Sequence, residues 1–282
     1  MSHNPYHQKG RPPTLRKSVL AYVDILGYAD MVKDSYANCT QQETLRNLHE
    51  ILTVNRRGLE NRYISPELLK FSKKDFHALK AFTDNIAIGW PIFGDGETEM
   101  GSAFIILIDF QIRMTLSGFF VRGAMAVGEV YVDDIAVFGD AFTDAYKGES
   151  RDARDPRIIL TQPAVDHVRS YLTYFGDPAE SAHAQCVLAD SDGQWFINYL
   201  DYVTWSLEDG DSPDYAVLLG HKAIVEERLV QHRHDPKIWA KYAWVARYHN
   251  YFCDMHSQYF DDEYQIDIAT IQPTPSLIVT PQ

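Results

Sequence analysis

A chain of 282 residues, 45% hydrophobic and 13% aromatic, can build one sizeable core with an accessory layer, or two small domains, and is too aromatic to stay unfolded. Its 39 acidic against 26 basic residues leave a formal net charge of −13; a surface of that sign repels a nucleic-acid backbone, so DNA and RNA are disfavoured as partners. The longest apolar stretch, Ala103 to Phe110, is broken by Asp109 and is far too short to span a bilayer, so no membrane partner is expected.

Residues 1–16 are polar, basic and proline-bearing, without the apolar core of a signal peptide, and read as a disordered lead-in. Ser18 to Asp24 is an apolar run with β-branched and aromatic residues, a buried strand. Gln41 to Tyr63 carries Leu45, Leu48, Ile51 and Leu52 at helical spacing. Ala78 to Trp90 reads as two strands meeting at Thr83, Asp84 and Asn85, a turn-prone tripeptide. Thr98 to Leu116 is an apolar helix, and Phe119 to Val132 a strand punctuated by Gly123 and Gly128. Asp140 to Arg151 is a polar helix, Arg157 to Thr161 a strand, and Gln162 to Leu172 a helix. The order is βαββαβ, which predicts an α+β fold with one mixed sheet and helices on one face. Beyond about residue 180 the pattern changes to a hairpin near Gln185 to Tyr199 and two long helices, Pro213 to Gln231 and Pro236 to Tyr259. The expected organisation is a lead-in (1–16), a catalytic domain (17–180) and an accessory region of hairpin and helices packed on it (181–282). Cys39, Cys186 and Cys253 lie far apart with no CxxC pairing, which argues against disulfides or a zinc site and fits the cytoplasm.

Two carboxylates carry the chemical interest. Asp24 ends the first strand and precedes Ile25-Leu26-Gly27-Tyr28; Asp84 sits in the hairpin turn. In a βαββ unit the first strand neighbours the hairpin, so the two acids can converge on one rim of the sheet. Convergent carboxylates suit two Mg²⁺ or Mn²⁺ ions, hard cations that share their shell with phosphates. The main chain at Gly27, opening a helix, is placed to donate N–H groups to a triphosphate. The competing reading is a hairpin turn and a helix cap.

Five ordered segments resemble the class III nucleotide cyclases: AYVDILGY (21–28), KAFTD (80–84), VRGAMAVGE (121–129), FGDAFTDAYKGES (138–150) and RIILTQ (157–162). The resemblance implies a ferredoxin-like βαββαβ cyclase core. It implies that Asp24 and Asp84, with the carbonyl of Ile25, hold the two cations, and that the amides from Leu26 to Tyr28 meet the phosphates. It also implies a head-to-tail homodimer with active sites at the interface. The family's transition-state Asn and Arg are replaced here by Thr143 and Lys147, at i and i+4 on one helix face. Lys80 matches the family's base-reading lysine, but the acidic residue that pairs with it there is Ala136 here, which argues against ATP. Thr83 stands where the family has glycine.

Within the family the chain resembles the pyrimidine cyclases of bacterial Pycsar anti-phage systems, a likeness extended by DGQWFINYL (192–200) and KYAWVARYHN (241–250). This implies conversion of UTP to cyclic UMP, read by a separate effector. The alternatives are a cytidylate cyclase or a degenerate, nucleotide-sensing homologue. Lys80 is either a donor to a pyrimidine carbonyl or a solvated lysine. Tyr22, on the face of Asp24, either meets the base or packs in the core. Arg122 is expected to pair with an acid under the sheet; Arg56 and Arg57 either meet phosphates or decorate a helix, the second reading being favoured. His232 and His234 belong to a solvated helix end, and Trp239, Trp244 and Tyr248 to packing.

Overall fold

A computed structural model describes residues 4–7, 10, 12–60, 77–82, 84–172, 174, 178 and 181–271. The chain divides into two compact units, Met1–Tyr202 and Val203–Gln282.

The first unit is built on a sheet of eight strands: β1 (Arg16–Ile25), β2 (Ala78–Phe82), β3 (Asn85–Pro91), β4 (Val121–Val132), β5 (Val137–Gly139), β6 (Ile158–Leu160), β7 (Val187–Ala189) and β8 (Trp195–Ile197). Their order is β2-β3-β1-β4-β6-β8-β7, with β5 paired to β4 off this path. The block β2-β3-β1-β4 is antiparallel throughout, the arrangement of a ferredoxin-like βαββαβ fold, and the class is α+β as expected. Among the described strands, only β4 and β6 pair in parallel, joined by a crossover through α4 (Asp140–Lys147).

β1 lies at the centre because it is apolar on both faces. Val19, Leu20 and Ala21 are each 0% exposed, so neither face of the strand meets water. On one face α4 packs its Ala141 and Ala145 with Leu20 and Ala126. Residues alternating with Leu20 point to the opposite face, where α3 (Glu97–Leu116) and α5 (Gln162–Leu172) also pack on the central strands. The sheet is therefore covered on both faces rather than one. α3 is apolar around most of its circumference, and Met100, Phe104, Leu107 and Ile108 are fully buried. The remaining helices of this unit are α1 (Tyr28–Ala37), α2 (Gln41–Glu60) and α6 (Ala182–Gln185). The side chains of Arg56 and Arg57, and all of Thr83, lie outside the described residues.

Two expectations change. The lead-in is anchored near its start: Tyr6 is buried and donates from its hydroxyl to Ser18 Oγ at 2.9 Å, while Asn4 Nδ2 donates to the Val132 carbonyl. A large aromatic ring gains more by burial than the flanking polar residues lose. The hairpin β7–β8, expected as an accessory packed on the core, is part of the sheet itself through β6. Arg157 explains this docking. It is fully buried, pairs with Asp190 and Asp192 at the hairpin tip, and lies 5.7 Å from the centre of the Phe196 ring.

The second unit holds α7 (Tyr215–Gln231), α8 (Pro236–Met255) and α9 (Ile268–Ile271). Asp214 caps α7 by accepting from the Val217 amide, and Asp235 caps α8 by accepting from Lys237 and Ile238, with Pro236 in the first turn. Trp244 and Tyr248 are buried and stacked, and His232 stacks on Tyr242. The cysteines are free thiols, and no described helix is long and apolar enough to cross a membrane.

Candidate active site

Strand pairing brings the two acids together. Asp24 sits opposite Asn85 in the β1–β3 ladder, one residue from Asp84, and the Ile25 amide donates to the Asp84 carbonyl at 3.0 Å. The charge on Asp84 is felt at Asp24: burial raises the Asp24 carboxyl above its usual range, Arg122 opposes the rise, and Asp84 adds to it.

Directly paired residues share a face of a sheet. Lys80, Ala87, Tyr22 and Ala124 therefore form one row across β2-β3-β1-β4, and Asn85, Asp24 and Arg122 belong to the next row on that face. The Tyr22 hydroxyl donates to Asn85 Oδ1 at 2.7 Å, and Asn85 Nδ2 donates to Asp84 Oδ1 at 3.0 Å. This relay fixes the turn residue through the central strand. Tyr22 also meets Phe142 and Tyr146 of α4 edge-on, each at 5.7 Å. Burial and the neighbouring charges of Glu149 and Asp24 push its hydroxyl up to about 12. Lys80 donates from Nζ to the Asp134 carbonyl in the turn between β4 and β5, the turn that contains Ala136.

Arg122 pairs with an acid, as expected; that acid is Asp24 itself, with Nε and Nη2 each 3.3 Å from Oδ2. Its Nη2 also lies 2.8 Å from Glu149 Oε1. Glu149 is buried, its carboxyl raised by burial first, with Arg122 opposing and Asp24 adding to the rise. It is delivered by a widened, π-type turn, Gly148–Asp152, that continues α4. A Cβ at Gly148 would come 2.7 Å from that of Ala124, so glycine lets the turn lie against the sheet. Asn85 and Glu149 were not singled out from the sequence. Their signal was adjacency to Asp84 and an acid in an otherwise small, helical segment, and neither reveals a partner without the strand register.

The loop after Asp24 is tight. Gly27 has φ 76°, a left-handed conformation, and opens α1. The first-turn amides of a helix have no partner within it, which leaves Gly27 and Tyr28 as main-chain candidates for an anion. Leu26 is not one of them, because its amide donates to the Phe120 carbonyl at 2.8 Å.

Thr143 and Lys147 do not join this cluster within one chain. The Thr143 hydroxyl donates to the Gly139 carbonyl at 3.2 Å, beside a depression bounded by Leu15, Glu129 and Phe138. Lys147 lines a separate cleft with α5 and the β8 end of the hairpin. Their side of α4 faces outward, whereas Tyr146 turns to Tyr22.

Among the described residues no three His, Cys, Asp or Glu side chains converge as a ligand set. Asp24 and Asp84, brought by the strand register to one end of the sheet, are the donor type that fits Mg²⁺ or Mn²⁺, which bind through one or two carboxylates and fill their shell from phosphates and water. The charge of Asp84 adds to the raised carboxyl of Asp24, and a cation beside both acids would relieve it.

Neither a protein family nor a curated protein matches the sequence. Among solved structures, a class III adenylyl cyclase-like ATP-binding protein from Pseudomonas aeruginosa matches with a TM-score of 0.41 at 15% identity, covering 59% of this chain and 39% of that one. The aligned part is less than half of that protein, and a likeness of this extent leaves the functional reading to the chain's own side chains.

Proposed function

We propose that this protein is a nucleotidyl cyclase that converts UTP to 3′,5′-cyclic UMP and pyrophosphate. The observation that carries the reading is the β1–β3 register, which sets Asp24 against Asn85 and so brings Asp84 to the same end of the sheet. Asp24, Asp84 and the Ile25 carbonyl would hold two Mn²⁺ or Mg²⁺ ions, which on binding supply activation of the ribose hydroxyl and neutralisation of the leaving charge. Gly27 and Tyr28 offer main-chain donors to the phosphates. Tyr22 and Lys80, in one row beside the acids, face the base. The ribose 3′-oxygen bonds to the α-phosphorus in line, the bond to pyrophosphate breaks, and the hydroxyl proton leaves to solvent.

Thr143 and Lys147 lie apart from the acids of their own chain, so the reading requires a homodimer in which Thr143 and Lys147 of the partner subunit complete each site. The outward flank of β5 and α4 supports such a contact: Ile135, Phe138 and Tyr146 are 82%, 69% and 50% exposed. Cyclic UMP would then signal to a separate effector in anti-phage defence, as the Pycsar resemblance implies. A second reading, a nucleotide sensor, is favoured by one feature: Arg122 already occupies Asp24 Oδ2, where a cation would compete.

Incubating the purified chain with Mn²⁺ and each of UTP, CTP, ATP and GTP decides between them. Cyclic UMP as the main product supports the proposal, and cyclic CMP would reassign the base. No cyclic product from any of the four, with retained nucleotide binding, establishes the sensor instead.

A further inference from the structure

A cleft of about 380 Å³ opens between the C-terminal end of α4, the start of α5 and the tip of the β7–β8 hairpin. Two basic side chains line it from different elements, Lys147 of α4 and Arg169 of α5. In a chain with 39 acids against 26 bases, basic groups readily find carboxylates. These two do not. Lys147 Nζ makes no ion pair or hydrogen bond among the described residues, although Asp144 and Asp152 line the same cleft. Arg169 approaches only Asp166, at 3.8 Å, too long for a hydrogen bond.

Arg169 is nevertheless held in place. Its guanidinium lies 4.9 Å from the centre of the Trp195 ring, a cation–π contact that orients the planar fork while leaving its N–H donors unused. Thr161, at the cleft floor, has a buried hydroxyl oxygen with no hydrogen-bond partner. Helix α5 adds little from its own start, because Pro163 removes one first-turn donor. With Asp144 and Asp152 balancing the two cations, a ligand would be held by directed contacts rather than by a net field.

We infer that this cleft takes the terminal phosphates of the nucleoside triphosphate and that Arg169 is its second cationic binding residue, opposite Lys147. The inference rests on the cyclase reading for the identity of the ligand, though not for its charge. Lys147 contributes a compact charge, and Arg169 contributes the fork that matches two phosphate oxygens. The cleft has room for a di- or triphosphate chain, and in this arrangement ribose and base lie toward the acids of the other subunit.

The test uses inorganic tripolyphosphate and calorimetry on the full chain without metal. Wild type should bind it. Arg169→Ala and Lys147→Ala should each weaken binding at least tenfold, and Arg169→Lys should fall between. Lys237→Ala, on α8, should bind as wild type. With UTP and Mn²⁺, Arg169→Ala should raise KM at least tenfold and change kcat less than threefold. Absence of tripolyphosphate binding by wild type, or equal binding by wild type and Arg169→Ala, overturns the inference even if cyclic UMP is made. Arg169-dependent binding in a chain that makes no cyclic product upholds the cleft and removes the cyclase reading. Melting curves identify a variant that has merely unfolded, in which case Arg169→Lys carries the comparison.

Discussion

The side chains around Asp24 are rich in acid: Asp24 and Glu149 both pair with Arg122, and the charge of Asp84 is felt at Asp24. Asp24→Ala and Asp84→Ala should each abolish cyclic-product formation from UTP while leaving the melting temperature unchanged or higher, since each removes a repelling charge. Collapse of either variant would make the acid structural. Arg122→Ala behaves in the opposite way. It strands Glu149, whose side chain is 6% exposed, and should cost on the order of 2 kcal/mol in denaturant unfolding. Adding Glu149→Gln should recover much of that loss, and no recovery would mean that the pair does not couple. The nearness of Asp24 and Asp84 was legible in the sequence because a strand end and a hairpin turn advertise themselves. The grip of Arg122 was not, since alternation gives a side chain's face but not its opposite number. That requires the register Asp24↔Arg122, which only the folded ladder defines.

Elements were legible where a segment's own pattern determines it. The apolar run of β1, the hairpin of β2 and β3, and the helical spacing of α3 and α5 all appear close to their expected bounds. β5, β6, β7 and β8 are three residues long. Strands that short exist because a neighbour pairs with them, and the attachment of the hairpin to β6 depends on Arg157, distant from it in the chain. Two elements support quantitative tests. Gly139 enters α4 at φ 146°, and a Cβ there would strike the Glu129 carbonyl and lie 2.7 Å from Val130 Cα. Gly139→Ala should therefore destabilise the first unit by about 2 kcal/mol or more and disturb the placement of Thr143. A melting temperature equal to wild type would refute that.

The pair α7–α8 buries His221 against His249, stacked with Nδ1 atoms 2.9 Å apart. His249 Nε2 donates to the Tyr264 carbonyl, so its Nδ1 accepts and His221 Nδ1 donates. Burial lowers both: His249 falls to about 4, helped down by Lys222, and His221 is held well below its usual value by burial and by His249. A base with a depressed folded pKa is fully stabilising above its unfolded value of about 6.5. Stability should thus be lost as pH falls from about 6.5 towards 4, by up to about 1.4 kcal/mol per pH unit for each histidine. Denaturant midpoints at pH 7.5 and 5 measure this, and a flat profile would show that neither ring stays neutral in the fold.

At the scale of the molecule, the proposed homodimer makes the proposed activity depend on protein concentration. Specific activity should fall on dilution below the dimer constant, and Phe138→Asp should deepen that fall at least tenfold without shifting the melting temperature. Dilution-independent turnover would require all the machinery within one subunit. The chain's acidity bears on the same scale, because a field of −13 opposes a triphosphate until divalent ions screen it, so turnover should rise with ionic strength at subsaturating UTP. The anchoring of the first residues has a different kind of consequence. The ring of Tyr6 fills the space where any side chain at position 89 would begin, touching the place a Cβ on Gly89 would occupy. Evolution cannot alter one of these positions without answering at the other. Lineages that enlarge residue 89 should have shed or shrunk the aromatic at position 6, so that two sites far apart along the polypeptide drift in step.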